Sequence, residues 1–334
     1  TNLLKPAFVR MLLDIVRFNR TSRRWLDQPG EDDLTLGDFL NRHGFGRGLG
    51  EWYLLPMAAA IWSAPVTRML EYPARSFLSF FANHGLLSIN GQRAWRTVSG
   101  GSRQYVERML AEFRPRLRLA TPIVGVRRWP WGVEIRDGGG EVRRFDHVVL
   151  ACHGDQILSI LEDVSHRERA LLGAFNYQAN RAVVHGDARL MPRRRAVWSS
   201  WNYLAQRSGT AGARVSVTYW MNSLQNLPTA QDVFVSLNPL REPHPDLVQH
   251  EIAHAHPVVD YATMAAQARM GEIQGQGGVW YAGAWLGHGF HEDGIRSGVE
   301  VARELGVRPP WVEPSYAPLA GAMGLPEGAV AQPA

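Results

Sequence analysis

Val279-Trp280-Tyr281-Ala282-Gly283-Ala284-Trp285 is an apolar run of strand length near the end of the chain. A turn with two glycines follows, and then residues 293–302, in which small and apolar side chains recur at helical spacing. The sequence therefore predicts a strand, a glycine-rich turn and a helix with Asp293 at its N-cap. Because a helix start offers free N–H groups and a partial positive charge, the turn suits an anion or an electron-rich ring edge. The alternative is an ordinary strand-to-helix connection, whose glycines serve only tight packing.

Residues 283–298 read G-A-W-L-G-H-G-F-H-E-D-G-I-R-S-G. This segment resembles the C-terminal flavin-binding signature of the amine-oxidase-type flavoproteins, which include phytoene desaturases and protoporphyrinogen oxidases. More narrowly, it is similar to a bacterial branch of predicted NAD/FAD-binding proteins. Two earlier segments resemble the middle signature of the family, Ala120-Thr121-Pro122-Ile123 and Val148-Val149-Leu150-Ala151-Cys152-His153, although His153 stands where the family has proline. The resemblance covers nearly all of residues 1–306 and implies FAD as the cofactor.

The resemblance also implies which residues act. The strand at Ile123 would contact the adenine through its backbone, and the turn and helix start would hold the flavin. Phe290 and Trp62 are candidates for the wall of the substrate pocket, as is Trp95, although large aromatic residues are more often core. His291 is the candidate for acid–base work or for a hydrogen bond to substrate, and its alternative role is a structural hydrogen bond in the turn. The candidate cofactor-binding residues are Ile123, Gly283, Ala284, Asp293, Gly294, Ile295 and Ser297.

One family feature does not occur in this sequence, the G-x-G-x-x-G fingerprint that holds the FAD pyrophosphate. Residues 44–50 come close but have Leu49 in place of the third glycine. The expected fold is therefore an α/β, Rossmann-like FAD/NAD(P)-binding flavoprotein fold, truncated at its N-terminus, with an α+β substrate domain of mixed sheet and helices. The expected division is a helical part of the substrate domain (1–85), an FAD-domain part (86–165), a β-rich part of the substrate domain (166–274), a C-terminal FAD-binding segment (275–306) and a flexible tail (307–334).

Periodicity and turn residues predict the other elements. Helices are expected at 6–26, after a capping box formed by Thr35 and Asp38, and at 47–62, 73–83, 102–113 and 261–272. Strands are expected at 86–89, 95–98, 117–119, 123–129, 132–136, 147–151, 181–185, 197–201, 214–219 and 233–237, with a hairpin turn at 137–140.

Composition narrows the classes of function. The 334 residues are 45% hydrophobic and carry a net charge of +5, with arginine supplying almost all of the positive charge. No apolar run reaches the roughly 18 residues of a membrane span, and the single Cys152 excludes an intrachain disulfide, so a cytoplasmic location is expected. The cluster Arg193-Arg194-Arg195 reads as a solvated loop, with peripheral contact to an anionic membrane surface or an acidic substrate as the alternative. No nucleic-acid motif accompanies the charge, so no nucleic-acid partner is expected.

Three other patterns admit different chemistry. His250-Glu251-Ile252-Ala253-His254 matches the H-E-x-x-H zinc motif, but Pro257 follows too closely for a long helix, so coincidence is favoured and no metal is expected. Cys152 could carry a covalent flavin link or be a small buried thiol. Lys5 is the only lysine and is badly placed for the lysine that many amine oxidases hold near flavin N5. Ala284 likewise stands where the amine oxidases have glutamate, which shifts the comparison toward the desaturases.

The sequence thus predicts an FAD-dependent oxidoreductase that removes a hydride from a C–H or C–N bond. A hydrophobic small molecule, such as an acyl chain or an isoprenoid, is the expected substrate. The alternatives are a flavin-free truncated binding module, which the missing fingerprint favours, a polar amine oxidase and a zinc peptidase. Substrate identity, electron acceptor and oligomeric state are left open.

Overall fold

The computed structural model describes residues 4–28, 34–62, 69–88, 96–207, 213–309 and 311. By its contacts the chain forms two compact units, each built from two segments. The first unit comprises Thr1–Leu117 and Gln178–His256, and the second comprises Arg118–Tyr177 and Pro257–Ala334. The domain boundaries expected from the sequence remain predictions.

Helices open the first unit. Their starts and ends follow local signals: the hydroxyl of Thr35 accepts the N–H of Asp38 at 3.1 Å, which confirms the predicted capping box. The helix at Ala74–Asn83 is followed by Gly85, whose φ of 70° favours glycine. The helices are α1 (Pro6–Leu26), α2 (Leu36–Arg42), α3 (Arg47–Leu49), a π-helical turn (Gly50–Leu54), α4 (Leu55–Trp62), α5 (Ala74–Asn83) and α6 (Arg103–Leu110).

A five-stranded sheet forms the second part of this unit, with the strand order β6-β7-β8-β5-β9. The pairs β5–β8, β6–β7 and β7–β8 are antiparallel. In its core Val183 lies opposite Ser236 and Phe234 lies opposite His185, and all four residues are buried. The strands are β5 (Asn176–His185), β6 (Trp201–Arg207), β7 (Ala213–Trp220), β8 (Phe234–Leu237) and β9 (Val248–Val258), with a short helix α9 (Met221–Leu224) between β7 and β8.

The second unit combines two small sheets with helices. One sheet is antiparallel, with the order β1-β2-β3, and the other is a parallel pair of β4 and β10. The predicted hairpin turn at 137–140 is confirmed, because Oδ1 of Asp137 accepts the N–H groups of Gly139 and Glu141, both at 3.0 Å. The elements are β1 (Ile123–Trp129), β2 (Gly132–Asp137), β3 (Val142–Phe145), β4 (Val148–Leu150), α7 (Gly154–Ile160), α8 (His166–Leu172), α10 (Tyr261–Arg269), β10 (Val279–Tyr281) and α11 (His291–Glu304).

The parallel pair β4–β10 lies at the centre of one apolar cluster. Val279 and Tyr281 are fully buried there, next to Ile157 of α7 and Leu172 of α8. The antiparallel sheet adds the buried side chains of one of its two faces to the same cluster. Val279 and Tyr281 face this core, and Trp280 between them is partly buried on the opposite face, so residues 279–281 read as an unbroken apolar run.

Four of the predicted strands are wrong in whole or in part. Residues 86–88 form the turn that ends α5, residues 96–98 have no regular structure, and residues 117–119 lead into Ala120, whose φ of 52° interrupts an extended backbone. Residues 195–197 form a 3₁₀ turn, and the strand begins only at Trp201. Short apolar runs do not distinguish a strand from a helix end or a loop that buries one aromatic ring.

Some predictions fall on residues outside the described ranges. Trp95 is one of these, as is most of the expected flexible tail, residues 312–334. Among the helices that the structure does describe, none combines the length and the apolar character of a membrane span.

Candidate functional site

The glycine turn starts where two parallel strands end side by side. In the pairing of β10 with β4, Val279 lies opposite Val148 and Tyr281 opposite Leu150. The N–H of Ala282 then donates to the carbonyl of Leu150 at 3.1 Å. Ligands of open α/β sheets bind at this carboxyl end of parallel strands. The turn that the sequence singles out therefore lies at the edge where such a ligand is expected.

Gly283 leaves β10 in a backbone conformation that side chains oppose. Its φ is 151°, and a Cβ at this position would collide with the indole Nε1 of Trp285. That indole donates to the carbonyl of Cys152 at 3.1 Å. The N–H of Gly283 donates to Oγ of the buried Ser297 at 2.9 Å, and Ser297 donates to the carbonyl of Gly294 at 2.7 Å. The strand end and the first turns of α11 are thus one hydrogen-bonded unit.

Asp293 acts from inside the helix, which corrects its predicted place at the N-cap. It is the third residue of α11, and Phe290 occupies the N-cap. Its Oδ2 accepts the N–H groups of His288 and Phe290, both at 3.1 Å, and its Oδ1 accepts from Arg296 at 2.5 Å. A carboxylate in the first turn still favours the helix through the macrodipole. Asp293 therefore holds the shape of the turn and is engaged on both of its oxygens.

The start of α11 presents open backbone and apolar side chains. A Cβ on Gly298 would meet nothing within 4 Å, and one on Gly294 would meet only Ala284, at 3.7 Å from its N and 3.8 Å from its Cβ. Phe290 is 36% exposed and Ile295 is 46% exposed. The first N–H groups of an α-helix have no partner within the helix. Whether these donors and the open glycine Gly294 hold the edge of a flavin ring stays a prediction from the sequence.

Three other candidate residues are not part of this hydrogen-bonded turn. His291 is the first residue of α11 and is exposed. Ile123 begins β1, partly buried, in the same unit. Trp62 belongs to the first unit, where its ring lies 5.0 Å from Tyr72 and 4.8 Å from Phe80, centroid to centroid. The structure therefore brings Gly283, Ala284, Asp293, Gly294 and Ser297 together, and the binding or catalytic roles of all the candidate residues stay predictions.

The turn is supported by a glutamine that sequence reasoning did not identify. Nε2 of Gln267, in α10, donates to the carbonyls of Trp285 and Gly287, both at 2.8 Å. A second amide, that of Gln274, holds Tyr281 from both sides, because it accepts the N–H at 2.9 Å and donates to the carbonyl at 2.8 Å. A lone glutamine in a helical pattern carries no signal for such a role.

A buried ionic network fixes the strand that leads into the turn. The hydroxyl of Tyr281 donates to Glu168 at 2.6 Å, and Arg128 forms an ion pair with the same carboxylate. Glu168 also caps α8 by accepting the N–H of Ser165 at 2.9 Å. Burial by itself would raise the pKa of Glu168, but hydrogen bonds from Tyr281 and Ser165 and the charge of Arg128 hold it below its usual value. The sequence analysis did not identify this network, and its local signal is the capping-box pattern Ser165-x-x-Glu168.

Cys152 and His153 follow β4 at the same edge. Cys152 is partly buried, and burial raises the pKa of its thiol. Its carbonyl, not its sulfur, takes part in the turn. His153 has a φ of −60°, which proline also adopts, so its replacement of the family's proline leaves the loop in an allowed shape. The ring of His153 stacks on Tyr177 at 4.7 Å.

The H-E-x-x-H motif lies on a strand, which contradicts the zinc-peptidase alternative. In β9, His250 and His254 are four residues apart, which is about 13 Å along an extended chain. One zinc ion cannot bind both nitrogens at that separation. Glu251 is bound to Arg181 at 2.7 Å instead of standing free as a base. The described part of the chain holds no cluster of His, Cys, Asp and Glu with metal-site geometry.

Comparison with known proteins identifies the class to which the chain belongs. The family model for flavin-containing amine oxidoreductases matches residues 4–180, more than half of the chain. The chain therefore belongs to this family, and it is an FAD-dependent oxidoreductase. No curated protein matches it.

Solved structures of flavoproteins share its fold. A CLA-producing fatty acid isomerase from P. acnes is 15% identical, with 92% of this chain and 77% of that chain covered and a TM-score of 0.61. Wild-type putrescine oxidase bound to putrescine is 12% identical, with 89% and 76% covered and a TM-score of 0.62. Reduced UDP-galactopyranose mutase is 12% identical, with 90% and 73% covered and a TM-score of 0.57. The predicted α/β, Rossmann-like flavoprotein fold is confirmed by these matches.

Proposed function

We propose that this oxidoreductase removes a hydride from a C–H or C–N bond of a hydrophobic substrate, such as an acyl chain or an isoprenoid. The observation that carries the proposal is the aromatic cluster around Trp62. The ring of Trp62 packs on Tyr72, Phe77 and Phe80 at centroid distances of 4.8 to 5.6 Å. Its Nε1 is buried and has no hydrogen-bond partner among the described residues. An indole N–H without a partner, packed among aromatic rings, suits a hydrophobic ligand with one oxygen atom that can accept this hydrogen bond.

The glycine turn gives a second, independent reason. Phe290 and Ile295 expose apolar surface at the start of α11. Asp293, the buried carboxylate of the turn, is already engaged by two backbone N–H groups and by Arg296. Ala284 stands at the position where amine oxidases resembled by this sequence carry a glutamate. These features favour an apolar substrate over an ammonium ion, which requires an available anion.

In the proposed reaction the bound flavin supplies the hydride acceptor. The residues of this chain do the rest. The first N–H groups of α11 would hold the ring edge, while Gly283 and Gly294 allow its close approach. Phe290 would exclude water on the substrate side, and His291 would hold or accept a proton of the substrate. The backbone at Ile123 would contact the adenine.

The relatives suggest both substrate classes. One structural neighbour is named a fatty acid isomerase and another was crystallised with putrescine. The first supports an acyl chain here, and the second supports a small polar amine as the competing function. At 15% and 12% identity these two neighbours share the fold with this chain.

Anaerobic titration of the FAD-loaded protein separates the candidates. An unsaturated fatty acid, an isoprenoid alcohol and putrescine would each be added, and loss of the visible flavin absorbance would be followed. We expect reduction by an acyl or isoprenoid compound. Reduction by putrescine alone would contradict the proposal in favour of a polar amine oxidase. A protein that takes up no FAD under any condition would be the flavin-free binding module.

A variant tests the role of Trp62 in the same assay. Trp62→Phe keeps an aromatic ring and removes only the indole N–H, so we expect KM for an oxygen-bearing hydrophobic substrate to rise about tenfold, with kcat little changed. Trp198→Phe is the matched control, because its indole already donates to the carbonyl of Pro192 at 2.7 Å. An unchanged KM in Trp62→Phe would assign this tryptophan to the core.

A further inference from the structure

The antiparallel sheet of the second unit has one buried and one exposed face. Val126 and Val133 point into the core and are fully buried. On the other face the strand register places Arg127 opposite Glu134, and Glu134 opposite Arg144. The hairpin between β1 and β2 continues this face with two tryptophans. We call Arg127, Trp129, Trp131 and Arg144 the Trp–Arg face.

The two tryptophans are ordered by each other and by the arginines. The rings of Trp129 and Trp131 stack with an angle of 8° and a centroid distance of 6.1 Å. The guanidinium of Arg127 lies 4.8 Å from the ring centroid of Trp129, and that of Arg144 lies 4.8 Å from that of Trp131. The result is a row in the order Arg, Trp, Trp, Arg, which cation–π attraction stabilises.

Permanent exposure of these two tryptophan rings to water costs free energy. Trp129 is 40% exposed and Trp131 is 47% exposed, at the tip of a hairpin where a turn needs neither. An exposed pair of large apolar side chains, set among charges, is typical of a surface that meets a partner. The long apolar stems of the arginines extend the same patch.

We infer that the Trp–Arg face docks on an anionic lipid surface. Indole rings favour the boundary between headgroups and acyl chains, where the apolar body is buried and the N–H stays hydrated. Guanidinium groups bind lipid phosphates in a bidentate manner. The positive net charge of the chain, +5, adds a general attraction to an anionic leaflet.

The arrangement of the rings disfavours the nearest alternative, a single-stranded nucleic acid. Bases bind such surfaces by stacking on open aromatic faces. Here the rings of Trp129 and Trp131 stack on each other, and a guanidinium group lies over each ring as well. Both rings also stay partly exposed, which suits shallow insertion between lipid headgroups.

The acidic side chains of this face are weak competitors for the arginines. Glu134 lies 3.4 Å from Arg144, with the arginine side chain 70% exposed. Exposed ion pairs of this kind contribute only about 0 to 1 kcal/mol, so a lipid phosphate can replace the carboxylate. Arg127 has no ion pair among those found in the described part of the chain and keeps its charge for a ligand.

Vesicle co-sedimentation tests this docking without any turnover, so its outcome is independent of the substrate class. The full chain would be mixed with vesicles of phosphatidylcholine alone and of phosphatidylcholine with phosphatidylglycerol, at low and high salt. We expect binding to the anionic vesicles only, weakened by salt. Arg127→Gln with Arg144→Gln should weaken binding roughly 25-fold, about fivefold for each arginine. Trp129→Ser with Trp131→Ser should weaken it at least tenfold.

Matched controls use exposed residues elsewhere. Trp52→Ser removes a tryptophan that is 54% exposed in the first unit, and Arg103→Gln removes an arginine whose side chain is 84% exposed. Both should bind anionic vesicles like the parent.

Equal binding to neutral and anionic vesicles, or parental binding by both Trp–Arg variants, would overturn the inference. Loss of oligonucleotide binding in these variants, without vesicle binding in the parent, would assign the face to nucleic acid. Far-UV spectra check folding, and the arginine pair, which leaves the apolar packing intact, keeps the test decisive if the tryptophan pair unfolds.

Discussion

Gly283 is the residue on which the shape of the turn depends most directly. An alanine there must adopt a φ of 151° and must displace the indole of Trp285, which itself holds the carbonyl of Cys152. We expect Gly283→Ala to lower the free energy of unfolding by about 2 to 3 kcal/mol. Chemical denaturation followed by tryptophan fluorescence measures this.

Gly298 supplies the control for that substitution. It lies inside α11, its φ is helical, and a Cβ would meet nothing within 4 Å. Gly298→Ala should therefore raise stability by about 0.5 to 1 kcal/mol, because alanine loses less backbone entropy in a helix. If Gly283→Ala were as stable as Gly298→Ala, the strain assigned to the turn would not exist.

His185 makes the stability of the first unit depend on pH. The ring is fully buried, its Nδ1 accepts the N–H of Asp187 at 3.1 Å, and its Nε2 therefore carries the proton and donates to Ser236 at 2.8 Å. Burial lowers the pKa of His185 from 6.5, although the charge of Asp187 opposes this. As the pH falls, the unfolded chain therefore binds a proton at His185 before the folded chain does. The contribution of the buried neutral ring to the free energy of unfolding is present above about pH 6.5 and is lost as the pH falls below it.

His185→Gln separates this effect from that of the other histidines. The parent should lose stability between about pH 7 and pH 5 more steeply than the variant does. His244→Gln is the control, since this histidine is half exposed and its Nδ1 lies 3.6 Å from the carboxylate of Asp246. Parallel stability curves for the parent and for His185→Gln, measured by urea denaturation at each pH, would contradict the assignment.

At the scale of the element, α11 and its preceding turn depend on Asp293. Asp293→Ala leaves the N–H groups of His288 and Phe290 without their acceptor and Arg296 without its anion. We expect a loss of about 2 kcal/mol and faster hydrogen exchange at the amides of His288 and Phe290. Glu304→Ala, at the exposed far end of the same helix, should leave these amides unchanged. Equal exchange in both variants would mean that the carboxylate does not hold the turn.

The elements also show what can be predicted from this sequence. The strand, turn and helix at 279–302 follow from an apolar run, positive-φ glycines and helical spacing, all of which are local signals. Asp293 was misplaced by three positions, because its carboxylate reaches backward from inside the helix and no propensity encodes that reach. Gln267 and Arg128 could not be foreseen, since their partners lie far away in the sequence. The false strand at 86–88 is a helix end, whose apolar residues return the chain to the core.

At the scale of the whole molecule, we expect FAD binding to slow hydrogen exchange in one compact unit more than in the other. A ligand that binds only the folded state protects the part it touches, by about 2.7 kcal/mol at a hundredfold excess over Kd. The residues predicted to contact FAD, which include Ile123 and Ser297, all lie in the second unit. Hydrogen exchange with and without FAD should therefore slow at residues 281–298 and around Ile123, while amides of β7 and β8 in the first unit change far less.

Riboflavin makes this measurement specific, because it has the ring system of FAD and no adenine. It should protect the turn and the start of α11 but not the backbone at Ile123, if that strand contacts the adenine as proposed. Protection at Ile123 by both ligands would place the ring, not the adenine, near β1 and would reverse the expected orientation. Protection that spreads evenly over both units would show that they unfold as one, and the assignment of cofactor contacts to the second unit would then rest on variants of Gly283 and Asp293 alone.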